Sequence, residues 1–152
     1  MVDSIGRIRR SELMRRVRQK NTEPEIRVRS ELHRRGLRFR LHDPSLPGSP
    51  DVILPRFQVA VFVHGCFWHR HGCSYSTTPR SNTRFWAAKF QANVARDKKK
   101  TSELRRLGWR VFTVWQCELH KANASSRLDA LVAKIKQVQK RRRSRVARLG
   151  QN

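Results

Sequence analysis

Three cysteines and a histidine limit the fold of this chain more than any other residues. Cys66, His71 and Cys73 fall within eight residues, and Cys117 follows far downstream. The stretch from 65 to 83 around them is poor in aliphatic side chains, so something other than a packed core has to hold it. Together they make a Cys₃His set, a usual composition for a closed tetrahedral zinc site. Structural zinc contributes on the order of 10 kcal/mol or more to a segment of this kind. An odd number of cysteines argues against a secreted disulfide framework, and cysteines near histidines in a reducing compartment more often bind metal. The spacing Cys-x₄-His-x-Cys is not a common finger pattern. His69 is an alternative fourth ligand, because in an extended segment it would face the same way as His71.

The rest of the pattern predicts an α/β sandwich, a small mixed central sheet flanked by helices. A basic helix is expected over about 8–20, carrying Leu13, Met14 and Val17. In Asn21-Thr22-Glu23-Pro24-Glu25, Thr22 and Glu25 have capping-box spacing and Pro24 sits in the first turn, so a second helix starts there and stops at Gly36. Leu37, Phe39 and Leu41 alternate with arginines as a half-buried strand does. Residues 43–50 hold three prolines and a glycine, a loop that delivers the chain to Asp51. Val52-Ile53-Leu54 and Val59 to Val63 are apolar runs separated by Pro55-Arg56, a hairpin of buried strands. Trp86, Phe90, Val94, Leu104 and Leu107 are spaced for a helix, 109–115 for a strand, and Leu128, Leu131, Val132, Ile135 and Val138 for a last helix. Trp109, Trp115, Phe112 and Phe90 read as core. One domain is expected over 1–139, with 140–152 as a flexible basic tail that has no core residues to fold around.

Lys and Arg number 35 against 11 Asp and Glu, a formal charge of +24 spread along the chain. That balance suits a polyanion such as nucleic acid. A membrane is not expected: no run approaches the ~18 apolar residues that a span needs, and residues 1–20 lack the apolar stretch of a secretory signal. The reading is a cytoplasmic or nucleoid-associated protein.

A second centre is Asp51, a carboxylate at the start of a buried strand and thus at the end of the sheet, where it can bind a hard cation such as Mg²⁺. Alone, Pro50-Asp51 would be no more than a turn. Glu25 at a helix start, His64 and His69 at a strand end and a basic surface add what phosphodiester hydrolysis needs: a metal, a base for water and cations for charge.

Asn21-Thr22-x-x-Glu25, the loop Ser45 to Asp51, the run Phe62-Val63-His64-Gly65-Cys66-Phe67-Trp68-His69-x-His71-x-Cys73, and Leu107-Gly108-Trp109-Arg110-Val111 through Trp115-x-Cys117 closely resemble the very short patch repair endonucleases. The likeness covers about residues 8–120. It implies a restriction-endonuclease-like fold with a structural zinc site, and a Mg²⁺-dependent nick just 5′ of the thymine in a T·G mismatch left by deamination of 5-methylcytosine. By that resemblance Asp51 ligates Mg²⁺ beside the main-chain carbonyl of Val63, Glu25 orients metal-bound water, His69 is the general base, and His64 supports the phosphate or that water. Cys66, His71, Cys73 and Cys117 bind Zn²⁺, while Phe67, Trp68 and Trp86 enter the base stack. The implied partner is double-stranded DNA with a T·G mismatch, bound by a monomer with a functional link to a cytosine-5 DNA methyltransferase and mismatch-repair proteins.

Two positions depart from what such enzymes carry. The acidic-x-lysine half of restriction-enzyme sites is replaced by Phe62-Val63-His64, as it is in this family. The family often has Thr where this chain has Val63, a change that a carbonyl ligand survives and a hydroxyl contact does not. Wedge insertion costs a few kcal/mol per base step, and a mismatch is easier to unstack than a matched pair. Trp86 has core packing as its alternative role. The competing reading from another class is a zinc-stabilised nucleic-acid-binding protein without catalysis. Charge and zinc fit it equally well, but it leaves Glu25, Asp51, His64 and His69 at element ends without a reason. A nuclease for unmodified duplex or structured nucleic acid is a third.

Overall fold

A computed structural model describes residues 20–122 and 124–150. The expected helix over about 8–20 lies outside them but for Lys20. In chain order the elements are α1 (Glu23–Arg34), β1 (Arg40–Leu41), β2 (Val52–Leu54), β3 (Val59–His64), α2 (Cys66–His69), α3 (Thr83–Arg106), β4 (Arg110–Trp115), α4 (Gln116–Leu119) and α5 (Ala124–Leu149).

The sheet is mixed, in the order β1-β2-β3-β4. β2 pairs antiparallel with β1 and with β3, and β3 pairs parallel with β4, in a register that sets Val63 opposite Val114 and His64 opposite Trp115. A parallel pair needs a crossover, and α3 provides it. Helices cover both faces. Val59, Val61 and Val63 on β3 and Val52 and Leu54 on β2 join Val28 and Leu32 of α1 and Leu128, Leu131 and Ile135 of α5 in the main core. Ala60 and Phe62 point the other way and meet Leu104 of α3, with Leu46, Trp109 and Val111 packed around them. Because both faces are covered, β3 reads as a continuous apolar run.

α1 begins as its sequence predicts. Thr22 caps it, accepting the Glu25 amide at 3.5 Å, but Glu25 Oε2 reaches back to the amide of Asn21 at 3.1 Å, one residue before the usual box. Gly36 ends it with a φ of +80°. The strand expected over 37–41 is shorter: only Arg40 and Leu41 pair, while Leu37 and Phe39 still lie against the core.

The C-terminal boundary also moves. The expected helix end at 139 is passed and residues 140–149 continue α5 as helix, although none of them is buried. Lys and Arg are strong helix formers, and a turn already nucleated by the packed part is extended at little cost. Among the described residues no helix is long and apolar enough to cross a membrane.

The packing of α5 divides at Val138, its last side chain against the core. Leu128→Ala, which empties a site 2% exposed, is expected to lower unfolding free energy by about 2–5 kcal/mol in a denaturant titration. Removal of residues 140–152 is expected to shift it by less than about 0.5 kcal/mol while lowering the helical signal in circular dichroism.

Candidate active site and metal centre

The proline-rich loop turns into β2 at Gly48, whose φ is +76° and where a Cβ would stand 2.9 Å from Lys100 Cβ and 3.2 Å from Phe62 Cζ. Glycine is required there on both counts. Asp51 then enters the sheet end, and its Oδ2 accepts the Val63 amide at 2.7 Å. Glu25, 4% exposed, faces the same space from the first turn of α1. His42, just beyond β1, lies between them, with Nε2 3.4 Å from Glu25 Oε2 and Nδ1 3.9 Å from Asp51 Oδ1. One donor atom from each of the three residues lies within 4.8 Å of the others. Burial pushes the Asp51 carboxyl up to about 7, with the Glu25 charge adding to it and the Val63 amide and His69 opposing. A buried carboxylate beside another is the electrostatic arrangement that a divalent cation relieves, so the site fits a hard metal.

His64 and His69 stack at 3.8 Å between ring centroids, 4° from parallel. They come from the end of β3 and the last turn of α2. Asp97 of α3 holds His69 Nδ1 at 2.5 Å, and one turn earlier Asn93 donates to the Trp68 carbonyl at 3.1 Å. Residues four apart share a helix face, so α3 grips α2 at two points. Burial lowers His64 to about 4, and the neighbouring His69 lowers it further than Asp97 can offset; the ring is neutral near pH 7. His69, oriented by a carboxylate on one nitrogen, has the arrangement of a general base. Sequence reasoning missed both Asp97 and His42. The available signal for Asp97 was a lone acid inside Arg96-Asp97-Lys98-Lys99-Lys100.

Cys66, His71, Cys73 and Cys117 bring their ligand atoms within 4.8 Å of one another. Cys66 Sγ stands 3.8 Å and Cys117 Sγ 3.3 Å from His71 Nδ1. All three cysteines are free. Burial pushes the Cys66 thiol up to about 12 and raises that of Cys117. At Cys73 burial acts the same way, but the Tyr75 amide and His71 outweigh it and hold this thiol down at about 6. Three thiols and an imidazole converging in this way suit a thiophilic cation in tetrahedral coordination. The extended geometry that made His69 an alternative ligand is absent: α2 is a helical turn closed by Arg70 in the left-handed region, φ 54°. The two histidines therefore diverge, His69 to Asp97 and His71 to the thiols. Trp115 separates the two centres, stacked on His71 at 4.2 Å and edge-on to His64 at 5.3 Å. It is a half-buried wall rather than core.

The aromatic residues expected to meet a ligand pack on one another. Phe67 lies edge-on to Trp86 and Phe90 at 5.6 and 5.2 Å, and Arg70 covers Phe90 at 4.2 Å. Phe67 and Trp68 are half-buried rather than fully exposed. Trp86, placed by sequence among the inserting rings, is 6% exposed, and the outward ring of its helix is Phe85 at 52%. In this conformation Trp86 serves packing, and its entry into a base stack requires the cluster to open.

A family model for the DNA mismatch endonuclease Vsr matches residues 2–75. A type II nicking enzyme of Xanthomonas oryzae pv. oryzae is 49% identical over 138 residues, 91% of this chain and 97% of that protein. A second type II nicking enzyme, from Neisseria meningitidis serogroup A, is 42% identical over 90% of this chain and 98% of its own length. The DNA mismatch endonuclease Vsr of Escherichia coli K12 is 43% identical over 78% of this chain and 76% of its own.

Cys117→Ser removes from the cluster the thiol contributed by α4, just after β4. Metal content by elemental analysis is expected to fall from about one equivalent to near zero, with faster proteolysis between residues 65 and 82 than in the unaltered protein.

Proposed function

The chain belongs to the Vsr family of DNA mismatch endonucleases, and on that footing we propose that it nicks duplex DNA immediately 5′ of the thymine in a T·G mismatch. The observation that carries the proposal is the meeting of two unlike groups near the end of β3. Asp51 and Glu25 belong to one, and His69 with its Asp97 partner to the other, with His69 close enough to act on the Asp51 carboxyl.

Asp51 and the main-chain carbonyl of Val63 would hold Mg²⁺. The amide of Val63 already points at Asp51, and in a strand the carbonyl of the same residue faces the same neighbour. The Val side chain in place of Thr leaves that carbonyl unchanged. Bound there, Mg²⁺ supplies positive charge that polarises the scissile phosphate. Glu25 orients the attacking water, and His69, fixed by Asp97, takes its proton. Neutral His64 stacks on His69 and supports the phosphate. Cys66, His71, Cys73 and Cys117 form the structural Zn²⁺ site, which fixes the turn bearing His69.

Phe67 and Trp68 are the rings nearest the mismatch, with Trp86 behind them until the cluster opens. Unstacking is easiest at a mispair, which favours the lesion over paired DNA. A formal charge of +24 supplies the phosphate contacts. The competing reading, a nucleic-acid-binding protein without catalysis, gives no reason for a carboxylate aligned on His69 beside the buried Glu25 and the half-buried Asp51.

With Mg²⁺, the protein is expected to nick one strand of a duplex carrying T·G in a cytosine methyltransferase recognition sequence and to spare the T·A control; equal cutting of both would refute the mismatch claim. Asp51→Asn should lower single-turnover nicking by at least about 10³-fold, and His69→Ala by about 10²–10⁴-fold, with DNA affinity held. Retained activity in Asp51→Asn removes that residue from the site. Asp97→Asn should cost about 10–100-fold through misorientation of His69.

A further inference from the structure

His42 takes no part in the roles assigned above, yet its ring lies between the two carboxylates of the site. Its Nε2 is buried and has no hydrogen-bond partner among the described residues. Glu25 Oε2, which accepts the Asn21 amide, lies 3.4 Å from this nitrogen without forming a hydrogen bond. A buried ring nitrogen left this way calls for a further group to satisfy it. His42 sits in the left-handed region, with a φ of +45°, where His, Asn and Asp are found more often than other non-glycine residues. One donor atom each from Glu25, His42 and Asp51 already lie within 4.8 Å of one another. Neighbouring ligands around a cation with bonds of about 2.1 Å stand about 3 Å apart, so a modest rotation of the imidazole brings it into such a shell.

We propose that His42 supplies an imidazole nitrogen, alongside Asp51, to the divalent cation of the active site, and that it raises the site's affinity for first-row transition cations, Co²⁺ above Mn²⁺, relative to Mg²⁺. Oxygen-only sets suit Mg²⁺ and hold Mn²⁺ as well, whereas an added imidazole raises affinity along the first-row series from Mn²⁺ to Co²⁺. The proposal rests on Asp51 being the metal centre.

The test uses the full chain with its thiol cluster filled with zinc, so that added Mn²⁺ reports on the carboxylate site alone. Mn²⁺ binding is followed by electron paramagnetic resonance, and a bound nitrogen by ¹⁴N modulation of the electron spin echo. The native protein is expected to show ¹⁴N modulation. His42→Asn, which tolerates the left-handed backbone, should lose it and bind Mn²⁺ about tenfold more weakly, with Mg²⁺ affinity changed less. His42→Gln is the second variant, and zinc content reports whether each remains folded. Unchanged Mn²⁺ affinity and modulation in the folded variants overturns the proposal, as does loss of zinc and fold in both, which would make His42 structural. Asp51→Asn separates the two levels: if it binds Mn²⁺ as the native protein does, the reading of Asp51 itself fails, whereas loss there with no effect at His42 removes only the histidine.

Discussion

The parallel pairing of β3 with β4 determines where everything else in the site falls. His64 and Trp115 are opposite each other at the last rung, and each strand passes directly into a short helix. Cys66 and Cys117 are therefore both two residues beyond that rung, one at the start of α2 and the other in α4. A one-residue slip would turn every side chain of one strand to the opposite face. It would bury His64 in the main core and withdraw Cys117 from His71. Register and ligand geometry are the same constraint seen from two ends, and Glu118 reinforces it by accepting the Trp115 amide at 2.9 Å while holding Arg127 of α5.

Desolvation gives the site its character. Asp51 and His64 are driven in opposite directions by burial at the same sheet end, the carboxyl towards its protonated form and the imidazole towards its neutral one. Each shift disfavours a charge that water would otherwise stabilise. His69 and Arg29 pull the Asp51 carboxyl down, but they do not offset its burial. A small divalent ion is the form of positive charge that fits such a space.

Much of this was legible from residue order. The hairpin, the crossover helix and the capped start of α1 follow from periodicity and turn chemistry, because each is decided by near neighbours. The site was legible where rare residue types clustered, as at Cys66, His71 and Cys73. It failed where a decisive partner is an ordinary residue made special by distance. Asp97 stands in a basic helical run 28 positions from His69, and His42 follows a strand of only two residues. Alternation misled at His69 and His71, since an αL residue after one helical turn breaks the period on which that inference depends. At Trp86 the aromatic neighbours that bury it come from α2 and from its own helix, and no spacing rule reveals whether they close over it.

The two faces of the sheet are unequally built. The face towards α1 and α5 carries many interdigitated aliphatic residues, whereas among the described residues the face towards α3 has Ala60, Phe62 and Leu104 as its buried cluster. Opening costs scale with the apolar contacts broken, so the molecule has a hard half and a soft half. The aromatic rings, Asn93 and Asp97 all belong to the soft half. Sub-global opening there, of the kind that amide hydrogen exchange reports, can part α3 from α2 while the sheet stays intact on its other side. Any rearrangement of the rings would in this sense be a property of the lean core beneath them, and rigidity of the scaffold a property of the dense one behind.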